Sequence, residues 1–153
     1  MKLGEALTLR SDLVSRLGEV RNRISSNVLV QDQERPAEDP NALIEEHGNL
    51  CDELESLVTK INLTNSQTRL PSGETLTEAL VKRDVFAQRL NGLRQAAQAA
   101  DVTHARRYSL SEIKMVPTIK VADLNEEIDG LAKQRRQLDT AIQAHNWTTD
   151  LVE

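Results

Sequence analysis

His47 and Cys51 stand four residues apart, so on a helix they share one face. With Asp or Glu nearby, an imidazole and a thiolate could form part of a soft-metal site for a divalent ion. Two ligands do not complete a site, and Cys51 is the single cysteine of the chain. The same pair could support Cys–His nucleophilic chemistry only with an exposed, activated thiol. His47 falls on an apolar helix stripe and Cys51 lies between stripes. The expectation is therefore a core histidine beside an inert, buried cysteine, with a divalent metal as the alternative.

Arginines form the second constellation. Arg10 falls between Leu7 and Leu13, Arg83 between Ala79 and Phe86, and Arg135 between Leu131 and Leu138, all on apolar stripes. A buried charge must be paired. Asp84 adjoins Arg83, and Asp139 follows Arg135 at i,i+4 spacing. Such pairs fix helix register or line a polar pocket.

Other groupings are less specific. Asp32, Glu34, Glu38 and Asp39 crowd one loop, which lacks the spacing and central glycine of a calcium loop. His104-Ala105-Arg106-Arg107-Tyr108 is a small basic-aromatic patch, suited to pairing with an acidic helix. A di-iron bundle needs Glu-x-x-His twice, but Ile44 and Ile142 stand three residues before His47 and His145. No glycine-rich phosphate loop and no Gly-x-Ser-x-Gly elbow occurs. No catalytic residue is assigned, so the chain is read as a non-enzyme without a predicted cofactor.

These residues are carried by four stretches of helical period. The first runs from about Leu3 to Ile24, with Leu3, Leu7, Leu13, Val14, Leu17 and Val20 on one side. The second runs from Pro40 to Leu63, capped by Asp39. Its stripe is Leu43, His47, Leu50, Leu54, Leu57 and Ile61, a coiled-coil seam with one polar member. Thr75 and Glu78 form a capping box for the third, after a turn at Leu70-Pro71-Ser72-Gly73. Its apolar side is Ala79, Phe86, Leu90, Leu93, Ala97 and Ala100. The fourth starts near Asp123 and ends near Asn146-Trp147. Gly18, Gly48, Gly92 and Gly130 each interrupt a helix, marking close helix approach or tolerated weakness.

Three short pieces lie between. Val28-Leu29-Val30 is β-branched and apolar, Thr64 to Arg69 is turn-like, and Ile113 to Val121 alternates with a period of two. Pro117 demotes the last to an edge strand. The expected fold is mainly α: four long helices in an elongated bundle with short β-hairpin or ribbon elements, as a single domain over residues 1–153.

Bulk numbers narrow the class. The 153 residues contain 39% hydrophobic and 2% aromatic residues, too few aromatics for a β-sandwich or barrel. Nineteen basic and 24 acidic side chains leave a net charge of −5. Residues 31–60 sum to −7 and residues 61–120 to +4, so complementary faces are expected. The acidic balance and scattered aromatics argue against a nucleic-acid partner. The first residues lack a signal-peptide pattern, no apolar run is long enough to span a membrane, and one cysteine fits a reducing cytoplasm. Asn62-Leu63-Thr64 and Asn146-Trp147-Thr148 are read as chance glycosylation patterns. Slender helices poor in aromatics bury little core alone, so self-association is expected.

Three stretches carry a family resemblance. They are Gly73-Glu74-Thr75-Leu76-Thr77-Glu78-Ala79-Leu80 with Arg83-Asp84, Ser111-Glu112-Ile113-Lys114 with Val116-Pro117-Thr118, and Leu138-Asp139, Ile142-Gln143 and Asn146-Trp147. With Glu34-Arg35-Pro36-Ala37-Glu38-Asp39-Pro40, the chain resembles a family of small bacterial proteins of unknown function, some labelled septicolysin. The resemblance implies a helical, oligomeric protein and no established reaction; the label would imply pore formation. Arg83, Asp84, Glu112, Lys114, Asp139, Gln143 and Asn146 are the polar candidates it supplies, beside Arg10 and Arg135.

The expected function is a cytoplasmic, non-enzymatic, self-assembling helical scaffold or interaction module. Its partner is itself, with neither nucleic acid nor membrane. The alternatives are a metal- or small-ligand-binding bundle and a septicolysin-type pore former.

Overall fold

Side-chain capping decides where the helices start. In a computed structural model, which describes residues 1–101 and 116–153, four helices form: α1 (Leu3–Asn27), α2 (Pro40–Gln67), α3 (Leu76–Ala99) and α4 (Val121–Thr148). The Asp39 carboxylate accepts from the Asn41 amide at 3.0 Å, and Pro40 opens α2 where no amide donor is needed. At α3 the Glu78 amide donates to Thr75 Oγ1 at 3.2 Å. The Glu78 carboxylate accepts from the Thr75 amide at 2.6 Å, completing the capping box. Gly73 closes the preceding turn with φ of 90°, and its amide donates to Leu70 O at 2.8 Å.

Within the described residues the expected β elements do not form. Among the described residues there is no strand; β character is confined to isolated bridges such as Lys2 with Asp150. Val28, Leu29 and Val30 are exposed, Leu29 by 86%, because this short run follows α1 with no strand edge to pair against. Thr64 to Gln67 continues α2 instead of turning. The Thr64 hydroxyl bonds back to Lys60 O at 2.8 Å, so the helix satisfies it internally. Val116 to Lys120 carries no strand, and Pro117 has no amide to give a ladder. Ile113, Lys114 and Met115 lie outside the described residues.

The chain, expected as one domain, clusters into two compact units. The first holds Met1–Arg69 and Ala144–Glu153. Within it α1 packs directly on α2. Leu13 and Val20 from α1 meet the predicted α2 seam in burial: Leu43, Leu50, Leu57 and Ile61 are all buried. Each such side chain contributes roughly 1.5–3 kcal/mol of transfer free energy. The chain ends are tied into this unit by Leu3 N–H to Thr149 O and Leu151 N–H to Met1 O, both 2.9 Å. The Val152 amide donates to Thr64 Oγ1 at 3.0 Å.

The second unit holds Leu70–Gln143. Its buried apolar residues are Leu70, Leu76, Ala79, Leu90, Leu131 and Ile142. Arg89 on α3 reaches Glu127 on α4 at 2.6 Å.

Candidate functional site

α2 carries two apolar stripes offset by one residue. The Leu43–Leu50–Leu57 stripe is buried. The other is Ile44, Cys51 and Val58, one residue further round, next to His47 and Leu54 of the first seam. Ile44 is 54% exposed, Cys51 is exposed, and His47, Leu54 and Val58 are half-buried. α1 packs on α2, and the first stripe is the buried one.

This corrects the expected buried thiol. Cys51 points outward because its stripe lies one residue beyond the one facing α1. Its Sγ lies 3.7 Å from His47 Nδ1. The pair is a two-ligand arrangement: among the described residues no three His, Cys, Asp or Glu side chains converge as a metal cluster. Gly48, beside this pair, has open space where a Cβ would stand.

On the other side of α2, an open groove of about 400 Å³ is lined by Arg16, Glu45, Glu46, Asn49, Leu50 and Glu53, among others. Arg16 pairs with Glu46 at 3.0 Å, and Arg23 lies 3.5 Å from the same carboxylate. Arg23 also grips Glu38, with Nε 3.0 Å from Oε2. This charge-assisted contact holds the Glu38 carboxyl below the usual carboxylate range and raises Arg23. The Glu38 amide is held by Asn27 Oδ1 at 3.0 Å, and Asn27 itself is buried. Two members of the acidic loop therefore have structural uses: Glu38 pairs and Asp39 caps.

The polar candidates scatter. Arg10 is exposed on α1, so no polar core forms around it. Arg83 pairs with Asp84 at 2.9 Å on α3. Arg135 lies 3.9 Å from Asp139, at the predicted spacing, while its Nε is buried without a hydrogen bond. Gln143 is exposed and Asn146 is buried. Glu112 and Lys114 lie outside the described residues. A cleft of about 270 Å³ in the second unit is lined instead by Phe86, Arg89, Glu127, Gly130, Leu131 and Gln134.

One close contact escaped the sequence reading. A Cβ on Gly4 would stand 2.9 Å from Trp147 Cε3 and 3.1 Å from Asn146 O. Gly18, Gly48, Gly92 and Gly130, read as close approaches or tolerated weakness, have open space where a Cβ would stand among the described residues. The available signal was a glycine in the first turn of a helix, where most side chains are tolerated.

A family model described as a family of unknown function, DUF6847, matches residues 10–151. The chain belongs to that family. It is also similar to a functionally unknown conserved protein from Corynebacterium diphtheriae known from a crystal structure. That likeness has 36% sequence identity and a TM-score of 0.92, and covers 99% of each chain. No curated protein matches the chain. The resemblance to a family of unknown function thus holds at that level, and neither match bears the septicolysin label. No helix among the described residues is long and apolar enough to cross a membrane.

Proposed function

We propose that this DUF6847 protein is a non-enzymatic helical module that assembles with itself. The observation that carries the reading is the second stripe of α2. Isolated exposed apolar residues are ordinary on protein surfaces. Ile44, Cys51, Leu54 and Val58 instead repeat at coiled-coil spacing on one helix face, where Ile44 and Cys51 are exposed and Leu54 and Val58 half-buried. Covering that face with a second copy removes its apolar surface from water. The reading names neither nucleic acid nor membrane as partner. The cytoplasm suits it, since an exposed thiol stays reduced there.

The test is the solution mass of the reduced protein by light scattering, beside an Ile44→Asp, Val58→Asp double variant. The expected result is an integral multiple of 17.1 kDa for the parent and 17.1 kDa for the variant. A parent that remains monomeric at high micromolar concentration overturns the reading. The second reading, a metal-binding bundle, has the His47–Cys51 pair in its favour.

A further inference from the structure

We propose that Thr149–Glu153 is a detachable strap, which opens as one unit from the start of α1 and the end of α2 while the helices stay folded. Its root is the last turn of α4. Asn146 there is buried, and the Trp147 ring packs so closely on Gly4 that a Cβ at Gly4 would stand 2.9 Å from Cε3. Close packing of this kind holds the helix end in place, so the strap leaves it from a fixed point.

Beyond that point the contacts change in kind. The Leu3 amide donates to Thr149 O and the Leu151 amide to Met1 O, both at 2.9 Å, around the bridge of Lys2 with Asp150. The Val152 amide donates to Thr64 Oγ1 at 3.0 Å. The Lys2 ammonium donates to Thr148 O at 3.0 Å and pairs with Asp150 at 2.8 Å. No residue from Thr149 to Glu153 is buried: Leu151 and Val152 are half-buried, and the Asp150 side chain is 75% exposed. Little apolar surface therefore holds the strap, and apolar burial is the main source of stability. The residues that receive it differ, since Leu3 and Thr64 are buried. A short segment held by a few polar contacts opens at much lower cost than the seam of Leu50 and Leu57. Because the contacts fall on adjacent residues of one extended piece, opening frees the Leu3 amide, Met1 O, the Lys2 ammonium and Thr64 Oγ1 together.

The test is amide hydrogen exchange of the full chain, read residue by residue by NMR. The Leu3, Leu151 and Val152 amides are expected to share one opening constant, larger than that of the Leu50 and Leu57 amides by roughly a hundredfold or more. Lys2→Met removes both contacts of the ammonium and should raise all three constants by roughly fivefold, leaving Leu50 and Leu57 unchanged. The unchanged seam shows that the variant is folded. Opening constants that differ among the three amides by more than roughly tenfold overturn the single unit. Exchange as slow as at Leu50 and Leu57 means that the strap leaves only on global unfolding, which overturns its detachment. Exchange as fast as in an unstructured peptide overturns the closed strap. A Lys2→Met change that leaves the three constants as they were, or moves the seam by the same factor, overturns the proposal as well.

Discussion

α1 and α2 meet through large aliphatic side chains, whereas half of the residues on the α3 side are alanine. In the first unit Leu13, Val20, Leu43, Leu50, Leu57 and Ile61 are buried, and the two helices pack directly. On α3 the predicted side buries Ala79 and Leu90 and leaves Phe86, Leu93, Ala97 and Ala100 half-buried. There Arg89 reaches α4 through an exposed ion pair with Glu127, above an open cleft. The difference follows from transfer free energy, which scales with the apolar area removed from water. A leucine seam holds a helix pair by itself. An alanine side offers little area, and an exposed ion pair adds only about 0–1 kcal/mol.

The largest expected effect tests the leucine seam. Leu57→Ala should cost about 2–5 kcal/mol in urea unfolding, through lost transfer energy and a residual cavity. Hydrogen exchange should rise across α1 and α2 and not across α3. Exchange that rises equally everywhere would erase the distinction between the two units. Gly4→Ala should cost about 1–3 kcal/mol, because the new methyl meets the Trp147 ring and Asn146 O. Gly18→Ala and Gly92→Ala, one in each unit, should instead stabilise by about 0.5–1 kcal/mol, since nothing obstructs their Cβ positions. Paired thermal melts separate the three.

Thr75→Ala removes the acceptor for the Glu78 amide and should cost about 1 kcal/mol, with exchange rising at the first turn of α3. Arg89→Ala should change stability by less than about 1 kcal/mol, and less still at high salt. A larger loss would mean that the ion pair, and not apolar burial, holds the second unit.

The smallest effect is a pH dependence confined to the first unit. Glu38 is held below the carboxylate range by its hydrogen bond with Arg23, and Asp150 likewise by Lys2. A lowered folded value stabilises above the unfolded value and loses that contribution as pH falls through the folded one. Melts should therefore weaken on acidification from about pH 5 to pH 2. Arg23→Gln should flatten part of that slope; an unchanged slope would detach Glu38 from it.

Much of the local architecture was legible before any coordinates. Asp39 and Thr75 cap where their chemistry predicts, because an N-cap satisfies amides within the same few residues. Leu43, Leu50, Leu57 and Ile61 are buried as their spacing indicates. The β ribbons failed for the opposite reason. Alternation in Val28-Leu29-Val30, or across Val116 to Val121, records only suitability for pairing, and a strand requires a partner edge.

The site was legible as residue pairs and not as surroundings. Arg135–Asp139 and His47–Cys51 lie within reach, as i,i+4 neighbours on one helix do, and the adjacent Arg83 and Asp84 also pair. Their exposure was not legible. Arg23 with Glu38 and Gly4 with Trp147 join residues far apart in helical register, so no periodic pattern announces them.

The sequence alone determined that this chain is helical, where α2 and α3 begin, and that α2 carries apolar residues at coiled-coil spacing. These are properties of neighbours within about one or two helical turns. Tertiary structure alone decided which of the two α2 stripes meets α1, and so left Ile44 and Cys51 facing outward. Periodicity assigns residues to a face; only the packing of another helix decides which face is covered.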